Sequence, residues 1–556
     1  MRIREKPYEK NLRRLLVAGV LLMISVLGLY IQGFSILPVP PVFSAVASAF
    51  NASPQLYYVD VNGDDANDGS AGYPWKTISQ AVSRVQAGDT VLINPGTHYV
   101  TKQISIATSG EAGKPITFLG NGSGAIVDLT GYSGRNGFEI YFADYIIIEN
   151  LTVRASNDEN SRGIRVTHSE GVILRNNTVS GAGHANLFCS LSDHILFEEN
   201  EAYGGAIGIY VADSSDYVVV RRNVLHDNSA IGLHMNGDIN SGGDGTISYA
   251  VIEGNISYNN GATGINCDGV TASVFINNLL YNNKNRGIAF FQQDGAVPSN
   301  DNHVYHNTIV MPSSGYYGIG LNYGANRNFF YNNIIYTEGT VPCFSSTSTT
   351  RELAISSDYN LLSSQGAIGE AGGTSFSFQQ WQGLGYGAHS LEASATETFV
   401  NSAYGDFMMK AGSPAVDAGT ATYSWPTDLL GNERPYGSAP DMGAYEFSGF
   451  CLNIDSTLDL TVSCAQYAGR GYGFTLDFFS NPVDLSGIYW KMDLGSFHET
   501  FGSDCINIGS NLSLSISCAA FSGKEYAFVL DYYPNSVEPS GIYWKMNLNT
   551  FREVGK

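Results

Sequence analysis

Arg175–Val179 reads RNNTV, and close variants return along the chain: ENLTV at Glu149, RRNVL at Arg221, INNLL at Ile276 and YNNII at Tyr331. Each copy sets one asparagine (Asn150, Asn177, Asn200, Asn223, Asn255, Asn278, Asn307, Asn333 or Asn360) among short β-branched and aliphatic runs. The intervals between them are 27, 23, 23, 32, 23, 29, 26 and 27 residues, which suits a solenoid with one coil per repeat. Coils stacked about 4.8 Å apart would bring these amides into one hydrogen-bonded row. The asparagines are therefore read as scaffold, and a single row of nine is expected.

The composition agrees with a mostly β chain large enough for more than one core: 556 residues, 43% hydrophobic, 14% charged, with 63 glycines, 34 tyrosines and 28 phenylalanines. A net charge of -22 excludes nucleic acid as a partner, and it makes a polyanion awkward without bound cations or a local basic patch. At the N-terminus, Arg2, Arg4, Lys6, Lys10, Arg13 and Arg14 precede an apolar run from Leu15 to Ile31, the pattern of an export signal. Ala47-Ser48-Ala49 offers a cleavage site. Residues 1–49 are thus a signal peptide or, uncleaved, an N-terminal membrane anchor. The mature protein is expected to be secreted or displayed on the surface of a bacterium, touching membrane only through that segment.

Leu56–Val61 reads as a strand, and Thr77–Asp89 as a helix with Ile78, Ala81, Val82 and Val85 on one face and a capping box of Thr77 and Gln80. The loop between them, Asp60–Gly69, is rich in oxygen ligands but lacks the glycine and the glutamate of a calcium loop, so it is read as side-chain-capped turns. YYVDVNGDDANDG, PWKTISQAV and GDTVLINPGTHY, followed by asparagine-marked coils, resemble the right-handed parallel β-helix proteins of the pectate-lyase-like superfamily. The resemblance covers roughly residues 56–447 and implies that the amphipathic helix plugs the N-terminal end of the coil stack. Its closing part, GSPAVDAG, DLLGNERP and APDMGAYEF within Gly412–Phe447, looks like the end segment found where such helices precede a surface-anchoring module. The expected fold class is all-β: a right-handed parallel β-helix over 55–447 with an N-terminal capping helix, then two small tandem β repeats over 451–556.

That fold leaves the chemistry open. The polygalacturonase motifs are missing, GAGHAN (Gly181–Asn186) being the nearest approach, and NCDGV around Asp268 lacks the adjacent aspartates that hold calcium in many pectate lyases. Aligning the coils on Gly163-Ile164, Gly208-Ile209, Gly232-Leu233, Gly264-Ile265, Gly287-Ile288 and Gly318-Ile319 sorts inward from outward side chains. His234, Asn236, Asn266 and Asp268 then share one outward face, with Tyr210 a coil earlier and Lys284, Arg286, Gln292 and Asp294 a coil later. Two insertions, Asn236–Gly245 and Gln292–Asp301, are expected to frame a cleft there, with Asp238, Asp244 and Asp294 at its lip as candidate calcium ligands.

Two chemistries suit such a cleft. In β-elimination from a uronate polysaccharide, His234 is the base while Lys284 or Arg286, with an aspartate-bound cation such as calcium, neutralises the carboxylate. In hydrolysis with inversion, Asp238 and Asp268 straddle the bond at about 8 Å. Tyr210, Asn236, Asn266, Arg286, Gln292 and Asp294 would hold the polysaccharide. The bland alternative is that any solvated β-helix face is polar, and the Arg162–Arg165 face is the next candidate.

In the tail, Cys451, Cys464 and GIYWKM at Gly487 recur 54 residues later as Cys505, Cys518 and GIYWKM at Gly541. In an exported chain this spacing suggests the disulfides Cys451–Cys464 and Cys505–Cys518. Cys189 and Cys267 fall at inward positions and are read as core filling. Trp490 and Trp544 alternate with Ile and Met on one side, so packing between the repeats outweighs sugar stacking. The functional expectation is an exported protein that binds and cleaves an extracellular polysaccharide, by a lyase-type or an inverting hydrolase-type reaction. Its alternative is a non-catalytic adhesion or structural protein of the cell surface.

Overall fold

The computed structural model describes residues 53–447, apart from 133, 135, 403, 404 and 411, and most strands between 452 and 553. The export segment at 1–49 lies outside the described residues. Short strands wind into three sheets of twelve strands each, parallel except for the strand Thr374–Phe376, which closes the third sheet antiparallel. One coil runs Ile146–Glu149 in the first sheet, Thr152–Arg154 in the second and Arg162–Thr167 in the third, and Ile173–Arg175 begins the next. Register stacks like on like: Ile148, Leu174, Phe197, Val220 and Ile252 form one column of the first sheet, each fully buried. Cys189 and Cys267 are likewise buried among the apolar side chains of the core.

The asparagine row is present with one member fewer than expected. From Asn177 to Asn360, each side-chain amide donates to the oxygen of the next, at 2.9–3.1 Å. Each also donates to a carbonyl of the preceding coil, as Asn278 does to Ile252 at 2.8 Å. Asn150 stands outside this row at a left-handed turn position, φ 59°, its amide on the Gly120 carbonyl. Leu151 occupies the ladder position of that coil, its N–H donating to Asn177. The cause is that this repeat reads NL, placing Leu151 where every later coil has its ladder asparagine. A second buried row, Asn228, Asn260 and Asn283, supports the turn into the third sheet.

The N-terminal helix is a single turn, Ile78–Val82, rather than Thr77–Asp89. Thr77 caps it by accepting from the Gln80 N–H, but the Gln80 side chain donates to the Asp65 carbonyl instead of closing the box. Asp89 accepts from Gln55 and Gln86 N–H groups, which draws the chain into the first sheet. Ile78, Ala81 and Val85 still join the coil core. The coils end at Glu392 rather than near 447. Leu279, Val310, Ile334 and Leu361 are outward residues of the second sheet, and the segment from Ala393 to Tyr445 packs over them. Arg434 anchors that segment, bonding Glu446 at 2.8 Å and Asn277 at 2.7 Å with no solvent contact.

In the tail the two repeats form one eight-stranded sheet. Leu452–Asn453 of the first repeat pairs with Leu514–Phe521 of the second, and Ile506–Asn507 of the second pairs with Leu460–Tyr467 of the first. Trp490 and Trp544 face each other across the centre, buried and stacked on Phe528 and Phe474, so they pack and do not offer a sugar platform. Cys451 and Cys505 lie outside the described residues, as do the side chains of Cys464 and Cys518.

Candidate active site

On the third sheet, register aligns Tyr210, His234, Asn266 and Ala289 in one column and Ala212, Asn236, Asp268 and Phe291 in another. Part of the expected cluster therefore assembles. Asn266 bonds His234 Nδ1 at 3.0 Å, the Tyr210 and His234 rings lie 4.6 Å apart, and the Asn236 amide donates to the Tyr210 hydroxyl at 3.3 Å and to Asp294 at 3.5 Å. Burial, with His184 adding repulsion, lowers His234 to about 4.

The carboxylates behave differently from the expectation. Asp268 does not point to solvent: it is 1% exposed and accepts the N–H groups of Gln293, Asp294 and Gly295 at 2.9, 2.7 and 3.2 Å. It anchors the second insertion. Asp238 caps the turn Ile239–Ser241, and Asp244 caps its own turn through Thr246. Gln292 bonds the Gly295 carbonyl. Asp238 and Asp268 thus make no hydrolytic pair. Among the described residues no three His, Cys, Asp or Glu groups are placed to hold a metal ion.

The insertions also do not stand apart as cleft walls. Ile239 N–H donates to the Asp294 carbonyl at 3.0 Å and Ala296 N–H to Gly245 at 2.8 Å. The turn at Gly269 lies against the second insertion so closely that a Cβ at Gly295 would lie 2.6 Å from the Gly269 Cα, so glycine is required. Lys284 is exposed in the turn before the strand Arg286–Phe291, and Arg286 lies over Tyr316 and Tyr317, so neither joins His234.

An open groove of about 700 Å³ lies toward the N-terminal end of the same face and is lined among others by Glu139, Tyr141, Arg165, His168, Asp213 and Ser241. Ser241 belongs to the first insertion, which thus does form a wall, but of this groove. Arg165 bonds Glu139 at 2.5 Å, and the Asn136 amide also donates to Glu139. Arg162 lies 4.5 Å from the Phe188 ring centroid. Burial raises the Glu139 carboxyl against the opposing pull of Arg165 and Arg162. Burial, then Arg165, lowers His168, leaving it a neutral base at pH 7. Its ring stacks on Phe142 at 4.6 Å, with Tyr141 edge-on at 5.9 Å. Asp213 accepts from the Ser190 hydroxyl at 2.7 Å.

Sequence reasoning missed Glu139, Tyr141, His168 and Asp213, although signals existed. Gly137-Phe138 repeats the Gly–apolar coil start, which puts Glu139 beside Arg165 in register. Phe142, His168, Leu191 and Asp213 follow successive strand ends in left-handed conformation, φ 50–53°, and so form a row along the groove edge.

Two family models match the coils: the Pel9A-like right-handed β-helix region over residues 57–206 and the right-handed β-helix region over 204–356. The chain is a right-handed parallel β-helix protein. The chain is 27% identical over 205 residues to "Uncharacterized protein YwoF" of Bacillus subtilis (strain 168), a match over 32% of this chain and 43% of that relative's length. Among solved structures, pectate lyase Pel9A aligns with a TM-score of 0.46 at 19% identity, over 71% of this chain and 97% of its own. XylC in complex with xylose aligns with a TM-score of 0.45 at 12% identity, over 70% and 98%. An alginate lyase from Paenibacillus sp. str. FPU-7 aligns with a TM-score of 0.35 at 15% identity, over 56% of this chain and 96% of its own.

Proposed function

We propose that this β-helix protein, exported through its N-terminal segment, binds an acidic extracellular polysaccharide along the outer face of the third sheet and cleaves it by β-elimination. The observation that carries the reading is that Arg165, His168 and Tyr141 line one groove with Glu139. Once the buried Glu139 takes up a proton, Arg165 supplies the local positive charge that a polyanion needs on a chain of net charge -22. Arg165 pairs with the uronate carboxylate and draws electron density from the adjacent carbon. Neutral His168 takes the proton from that carbon. The freed electron pair forms a C=C bond, and the glycosidic C–O bond breaks toward the leaving oxygen, which takes a proton from Tyr141 or water. Burial of Glu139 eases its protonation as the second carboxylate approaches Arg165.

Incubation with polygalacturonate, alginate and a neutral glucan, with and without calcium, tests the reading. Ultraviolet-absorbing unsaturated ends from an acidic glycan are expected, and Arg165→Ala and His168→Ala should each remove them. New reducing ends without that absorbance would indicate hydrolysis. Retention of glycan without product would favour the adhesion alternative, which the structural use of Asp238 and Asp268 supports.

A further inference from the structure

Arg286 stands in the same outward column of the third sheet as Arg162, through Ala185, Ile207, Ile231 and Thr263. The chain holds 51 acidic against 29 basic side chains, and Arg154, Arg165, Arg175, Arg221, Arg222, Arg327 and Arg434 all sit on carboxylates. Among the described residues no carboxylate pairs with Arg286, and its Nε is buried without a hydrogen-bond partner. Its guanidinium is instead held 5.6 and 5.9 Å from the ring centroids of Tyr316 and Tyr317. Tyr317 is fixed in turn: its ring lies where a Cβ on Gly320 would stand, 2.3 Å away. Tyr316 is 57% exposed, and exposed Lys284 precedes Arg286 by two residues.

We infer that Arg286, Tyr316 and Lys284 form a second subsite that takes a carboxylated sugar of the same polysaccharide. Arginine stacked on an aromatic ring is oriented before the ligand arrives, so its fork meets a carboxylate with less entropy to lose. Tyr316 offers an apolar ring face to the sugar and Lys284 a second positive charge. Five strand spacings separate Arg286 from the Arg162 strand, about 24 Å along the axis. The subsite therefore rewards long chains over short ones. This inference rests on the acidic-polysaccharide reading of the face, but not on cleavage.

Binding is measured on His168→Ala protein, which holds polymer without turning it over, with polygalacturonate and alginate as probes. Adding Arg286→Ala should weaken polymer binding about tenfold, while Arg286→Lys, which keeps the charge but loses the fork, restores part of it. That partial rescue distinguishes the subsite from a folding defect. Equal polymer affinity with and without Arg286→Ala overturns the subsite. Weakened binding in a protein whose wild type yields no unsaturated product keeps the subsite and removes the lyase reading. No binding of either acidic polymer by the wild type overturns both.

Discussion

Asp268 and Arg165 stand on the same face of the same sheet, three strands between them, and both occupy outward positions by alternation. One is closed and the other open. At Asp268 the insertions Asn236–Gly245 and Gln292–Asp301 bond to each other and consume the carboxylate with three N–H groups. At Arg165, by contrast, Glu139, His168 and Tyr141 line free volume. An outward polar residue is therefore only a candidate; what lies over it decides whether it meets substrate or holds the fold.

Substitutions at the two ends should separate cleanly. His168→Ala should lower turnover by at least about a hundredfold with little change in unfolding free energy, measured by product absorbance and by denaturant titration. Asp268→Ala should do the reverse in character: it strands three backbone donors and costs about 3 kcal/mol of stability, with any lost activity tracking the unfolded fraction. An Asp268→Ala protein of full stability but no activity would break the comparison.

The pH profile sharpens it. Burial and Arg165 lower the His168 pKa, so its neutral, proton-accepting form persists below the ordinary imidazole value of about 6.5. The acid limb of kcat/KM should then fall below that pH, and an acid limb above it would assign the base elsewhere.

The smallest effect concerns the tail, where local spacing and pairing between the repeats again disagree. Spacing suggests bridges within each repeat. The register instead pairs Leu452 with Ala519 and Ala465 with Ile506, each neighbour to a cysteine in sequence. Mass mapping without reductant is accordingly expected to link Cys451 to Cys518 and Cys464 to Cys505. Links from Cys451 to Cys464 and from Cys505 to Cys518 would return the pairing to the local reading.

Much of the fold was legible because it is periodic. The coil repeat, the asparagine row, the buried cysteines and the inward columns each follow from residues recurring at one coil's interval, and stacking turns such repetition directly into contact. His234, Asn236, Asn266 and Tyr210 came together for the same reason. The exceptions are equally specific: Asn150 lies outside the row because Leu151 occupies the ladder position of its coil, the helix ended early because Asp65 and Asp89 claimed its flanks, and the segment after Glu392 turned outward to cover Leu279, Val310, Ile334 and Leu361.

By itself, then, the sequence determined the coil, its inside and its outside, since these depend on period and alternation within short windows. Only the tertiary structure decided which part of the outside is open. That choice rests on two insertions, Asn236–Gly245 and Gln292–Asp301, bonding backbone to backbone, with Gly295 closely packed on Gly269, and on a turn row in which Phe142, His168 and Asp213 become neighbours only when successive coils stack. No local pattern encodes either, because the contacts join residues that are distant along the chain.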